Sequence, residues 1–166
     1  MIQISDSELR KAAEAGVDEF IALFVDKYWA EMGGELTAEG MAKLNGHQNT
    51  LLAYSIFRNE MNDGGFVQLI QNGYGGYFFR NPFAKAIRLF GAKPLSKLVY
   101  EAKDIYQANQ DALERECTDE EFLSMYVDFE VFDDLEEKFF LMEEETTSAI
   151  AQFVDENIEL FAEVTD

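Results

Sequence analysis

The sequence predicts an all-α protein, a single compact domain of seven or eight helices around a central apolar helix near residues 47–61. Three observations carry that expectation. Apolar residues recur every three or four positions over most of the chain, and no run shows the alternation of a half-buried strand. The only two prolines, Pro82 and Pro94, stand where helices would begin. The length of 166 residues suits one domain over 1–166, and a chain of that size buries about 70% of its unfolded surface without help from a disulfide or a metal. With 48% hydrophobic and 14% aromatic residues, it is too apolar for a disordered acidic tail.

The first helix is expected from Ser5, where Glu8 follows at the spacing of a capping box. Leu9, Ala13, Val17, Phe20, Phe24 and Tyr28 form its buried stripe, and Gly33-Gly34 ends it. Thr37 caps a short helix that stops near Asn45-Gly46. Residues 47–61 are apolar almost all round (Leu51, Leu52, Ala53, Tyr54, Ile56, Phe57), which places that helix in the interior. A polar glycine turn follows, then a short helix over 66–72 closed by Gly73, then an aromatic and glycine loop over 74–79. Asn81-Pro82 opens a helix running to Gly91, and Pro94 opens another reaching about Glu116. Thr118 with Glu121 is a second capping box. Two final helices carry the stripes Phe132, Leu135, Phe139, Met142 and Ile150, Phe153, Val154, Ile158, Phe161. The acids between those positions should face water.

Charge narrows the classes of function. The formal net charge is −20, from 33 acids and 13 bases. Residues 64–100 hold five bases and no acid, whereas residues 101–166 hold 22 acids and three bases. Excess acid for solubility alone should be spread along the chain, and this is not. The field would steer a cationic partner and disfavours direct nucleic-acid binding, which needs lysines and arginines to displace counterions. The expected partner-binding carboxylates are Asp128, Glu130, Asp133, Asp134, Glu136, Glu137, Glu143, Glu144, Glu145, Asp155, Glu156 and Glu159. From Asp133 to Glu145, seven acids occupy roughly 20 Å of helix. That is one per roughly 3 Å, against about 3.4 Å between phosphates on one DNA strand.

Other chemistry finds little support. The start of the chain has no apolar signal segment and no apolar run approaches the roughly 20 residues of a membrane span, so a cytoplasmic location and no membrane partner are expected. His47, the one histidine, has no serine or cysteine nearby to pair with. Cys117 lies among Glu114, Glu116, Asp119 and Glu120, which oppose thiolate formation. Neither a calcium-loop pattern nor Glu-x-x-His is present, and Gly73-Tyr74-Gly75-Gly76 lacks the lysine of a phosphate loop. No catalytic residue, metal or cofactor is expected.

The least ordinary segment is Arg58-Asn59-Glu60-Met61-Asn62-Asp63-Gly64-Gly65-Phe66, followed by Gln68 and Asn72. It sets polar groups at the end of the most apolar helix, where burial without partners is costly. One reading is structural: Asn62 or Asp63 caps, the glycines supply unusual backbone angles, and Gln68 and Asn72 bond across to the turn. The other is a small polar pocket near Glu60 and Gln68. These residues, with Ala86-Ile87-Arg88-Leu89-Phe90-Gly91-Ala92, Leu135, Phe139-Phe140 and the final helix, resemble the bacterial DNA-mimic protein 19 family over roughly 45–162.

The resemblance implies an all-helical fold, scope for a homodimer and no enzymatic activity. It further implies surface carboxylates that imitate duplex phosphates and occupy the DNA-binding face of a basic protein such as a transcription regulator. The leading expectation is therefore an acidic protein-interaction module. The alternatives are an immunity or antitoxin protein that neutralises a basic toxin or nuclease, and a ligand-binding protein or enzyme using the Glu60–Gln68 region.

Overall fold

A computed structural model describes residues 1–166, and the chain is all-helical apart from one pair of very short strands. In chain order these are β1 (Gln3–Ser5), α1 (Asp6–Ala15), α2 (Val17–Glu31), α3 (Ala38–Met41) and α4 (Gly46–Asp63). Next come α5 (Gly65–Leu69), a π-helical turn (Ile70–Tyr74), α6 (Gly75–Phe79), α7 (Phe83–Leu89) and α8 (Lys93–Ala108). After α9 (Gln110–Glu114) and α10 (Asp119–Asp128), a 3-10 turn (Glu130–Phe132) leads into α11 (Asp133–Glu156), α12 (Ile158–Phe161) and β2 (Glu163–Thr165). No helix is long and apolar enough to cross a membrane.

Twelve helices replace the seven or eight expected because long periodic stretches are broken locally. Gly16, with φ of 144°, divides the first stretch into α1 and α2. Asn109, at φ −132°, separates α8 from α9. The 74–79 segment, expected as a loop, is the helix α6, since Gly73 at φ 90° turns the chain only once before it re-enters helix. The last two expected helices are one, α11, and the break falls at Asn157 (φ −136°). Strands β1 and β2, which periodicity does not reveal at three residues each, pair in parallel with Gln3 opposite Glu163.

The chain gathers into two units, Met1–Ser55 with Glu145–Asp166, and Ile56–Glu144. In the first, Ser5 and Thr37 cap α1 and α3 as predicted. Asn45 and Gln48 form a reciprocal cap at the start of α4, at 2.8 and 2.9 Å. Phe24, Tyr28, Leu51, Leu52 and Phe161 are fully buried. The carbonyl of Phe161 accepts from Tyr28 Oη (2.8 Å) and Gln48 Nε2 (3.0 Å), which satisfies these three buried polar groups. Tyr54 and Thr147 share a hydroxyl hydrogen bond of 2.6 Å between α4 and α11.

The second unit is built on aromatic rings. Phe57, from the buried face of α4, meets Phe66, Phe78, Phe83 and Phe139 with centroids 5.3 to 5.9 Å apart, three of the four edge to face. Phe66 stacks on Phe132 at 5.1 Å. Gly75 lets α6 lie against the ring of Tyr106, since a Cβ there would come within 2.7 Å of it. Helices α7 and α8 are joined through Gly91 at φ 90°, and Ser96 donates to the Ala84 carbonyl at 2.7 Å.

Candidate functional site: the 58–66 turn and the acidic helices

The end of α4 is a knot of satisfied polar groups. Glu60 accepts from Gln68 Nε2 (3.1 Å) and Asn72 Nδ2 (2.9 Å), and Gln68 also donates to Asp63 (3.0 Å). Arg58 Nε donates to Glu143 Oε1 at 2.8 Å, and Asn62 Nδ2 donates to the same oxygen at 3.0 Å. Asn59, Glu60, Asn62 and Asp63 border a shallow, open depression, not an enclosed cavity. The side-chain amides of Gln68 and Asn72 thus tie α5 and the π-helical turn to the end of α4. The capping role expected of Asn62 or Asp63 is absent, because Gly64 occupies the N-cap of α5 and no side chain bonds there.

Glycine at the turn has a specific cause. Gly65 has φ 83°, and a Cβ on it would overlap the Glu136 carboxylate. Glu136, on α11, thus lies against the bare backbone of the turn and accepts a hydrogen bond from the Phe66 N–H. Burial, and second the charge of Asp133, push its carboxyl up to about 7; the Phe66 bond only partly offsets this.

Helix geometry sorts the predicted carboxylates. At 3.6 residues per turn, positions seven apart nearly coincide, so Glu136 and Glu143 share a face with the buried Phe139. Both are half-buried, contrary to the expectation that acids off the aromatic stripe all face water. Glu143 is moreover neutralised by Arg58. Asp133, Asp134, Glu137 and Glu144 lie on the opposite side of the helix and are exposed. Asp133, Glu137 and Glu144 form one row, with rises of roughly 6 and 10 Å between successive members. Of these acids Asp134 alone has a cation beside it, Lys138 Nζ at 3.0 Å. Asp128 and Glu130, at the end of α10 and in the 3-10 turn, are exposed as well.

In the first unit Glu145, Asp155, Glu156 and Glu159 are exposed, and Glu156 accepts from Gln152 at 3.0 Å. Thr118 and Glu121 form the predicted capping box of α10, and Thr118's backbone and hydroxyl hydrogen bonds hold Glu121's carboxyl below its usual range. His47 sets its ring 5.9 Å from that of Phe161, and Cys117 Sγ lies 3.3 Å from Gln71 Oε1. Sequence reasoning misses the inward turn of Glu136, although its spacing of three from Phe139 carries the signal. It also misses the exposed aliphatic residues Leu123, Val127 and Leu141 within the acidic helices.

Fold and site together define an acidic all-α protein whose charged helix is pinned to a glycine turn. The chain belongs to the DMP19-like protein family, whose profile matches residues 42–157. It is 30% identical over 127 residues to the DNA mimic protein DMP19 of Neisseria meningitidis serogroup B (strain ATCC BAA-335 / MC58), a match covering 76% of this chain and 77% of that relative.

Proposed function

We propose that this protein is a DNA mimic that binds a basic, DNA-binding protein, such as a transcription regulator, at the surface that would otherwise hold duplex phosphates. The observation that carries this is the outer row of α11, where Asp133, Glu137 and Glu144 stand exposed in a segment almost without bases. Fixed carboxylates on a rigid helix present charge at set intervals, as a duplex backbone does, and give a partner's lysines and arginines a preorganised target. The relative's own description as a DNA mimic supports the same reading. Asp128, Glu130 and Asp134 add to the charge of the second unit, and Glu145, Asp155, Glu156 and Glu159 to that of the first.

The 58–66 turn fits a binding protein better than an enzyme. Its carboxylates are taken up by Arg58, Asn62, Gln68 and Asn72, which leaves no acid–base pair open to a substrate.

The test is capture on the immobilised chain from extract of its own cells at low salt, followed by challenge with duplex DNA. A basic protein should be retained, and duplex should release it competitively. Asp133→Asn, Glu137→Gln and Glu144→Gln together should weaken its binding by about tenfold or more and flatten the salt dependence. Retention that duplex does not compete, or binding that these three changes leave untouched, counts against mimicry.

A further inference from the structure

Helix α10 leaves one face uncovered. Met125 is its buried residue, and at 3.6 residues per turn Leu123 and Val127 fall on the far side. They are 65% and 72% exposed, and Val131, four residues further on in the 3-10 turn, is 54% exposed. Leu123 and Val127, four apart, stand on one side of the helix about 6 Å apart along its axis, and Val131 adds a third exposed aliphatic side chain just beyond the helix end. An acidic helix kept for solubility would place polar residues there. The exposed Asp119, Glu120 and Asp128 accompany these side chains, and no lysine or arginine occurs from residue 116 to residue 137.

Charge decides what can cover such a strip. A second copy laid face to face would bring these carboxylates together, the neighbouring Arg115 being already paired with Glu121 at 4.0 Å, and like charges in an interface cost several kcal/mol. Anionic lipid is repelled for the same reason. A basic segment lacking apolar residues would satisfy the acids and leave the aliphatic side chains in water. A helix with cations flanking an apolar edge satisfies both.

We propose that the exposed strip of Leu123, Val127 and Val131 docks a cationic amphipathic helix of the partner protein, with Asp119, Glu120 and Asp128 receiving its lysines and arginines. This rests on the reading of the chain as a binder of a basic protein. It adds an apolar contact that a row of phosphates does not offer, and with it selectivity among basic partners.

The test uses the full chain and two peptides of equal charge, a ~18-residue helical Lys/Leu peptide with one apolar face and a shorter oligolysine with the same number of lysines. The Lys/Leu peptide should bind about tenfold or more tightly than oligolysine. The double variant Leu123→Ser/Val127→Ser should lose that advantage while oligolysine binding and circular dichroism stay unchanged. Leu89→Ser, at an equally exposed leucine on α7, should keep it. Equal binding of the two peptides, or a Lys/Leu affinity that the double variant leaves intact, overturns the proposal. So does a dimer, seen by sedimentation, that the double variant dissociates, since a second copy would then cover the strip. Salt-sensitive oligolysine binding without discrimination defeats the strip alone; failure of both peptides to bind at low salt defeats the acidic-surface reading with it.

Discussion

Glu136 shows how one carboxylate can belong to the acidic helix in sequence and to the turn in space. Its folded pKa of about 7 lies above the unfolded value of 4.5, so the native state holds its proton more tightly than the unfolded chain does. The stability this provides is complete below about pH 4.5 and is lost as pH rises through 7. Glutamine keeps the acceptor for the Phe66 N–H and removes the charge. Glu136→Gln should therefore raise stability at pH 8 by about 1–2 kcal/mol, allowing for partial solvent exposure, with the gain vanishing near pH 4.5. Urea titrations at the two pH values measure this, and an equal gain at both would show that charge is not the cause. Gly65→Ala acts on the same contact from the other side. A left-handed φ and overlap with the carboxylate should together cost about 2 kcal/mol or more, read from the same titrations. Neither effect is visible in sequence at the glycines; what the sequence does carry is the spacing of Glu136 and Glu143 about Phe139.

Among the elements, those with strong caps or continuous apolar faces were legible, and those divided by a single backbone angle were not. The expected helix over 47–61 is α4, and Thr118 opens α10 with the predicted box. The breaks at Gly16, Asn109 and Asn157 each depend on one residue leaving helical angles, against periodicity that runs on through them. Likewise α6 forms from a glycine-rich stretch of poor propensity because Phe78 and Phe79 are buried in the aromatic core. Phe57→Ala, which removes the ring meeting four others, should destabilise by about 3–5 kcal/mol in calorimetry or denaturant titration. Thr118→Ala removes one half of a reciprocal cap and should cost about 1 kcal/mol. Faster hydrogen exchange should then be confined to the first turn of α10, and exchange spread through α8 and α11 would contradict a local role.

For the whole chain, the sum of charge was readable from composition, while its usable fraction was not. Pairing with Arg58 and burial against Gly65 remove two of the expected carboxylates from the exposed set. The remainder repel one another, and salt should relieve this. Raising sodium chloride from about 10 to 150 mM shortens the screening length from about 30 to 8 Å and should lift the melting temperature by about 3 °C, as scanning calorimetry can record. A flat response would mean that the native acids lie too far apart to oppose folding. The parallel pairing of β1 with β2 has a mechanical consequence. Tension applied between residues 2 and 166 runs along the two strands in opposite directions, so the rungs of the ladder are sheared and share the load instead of unzipping one by one. Three residues at either end thereby act as a clasp, which a stretching force must break before any helix behind it is drawn out.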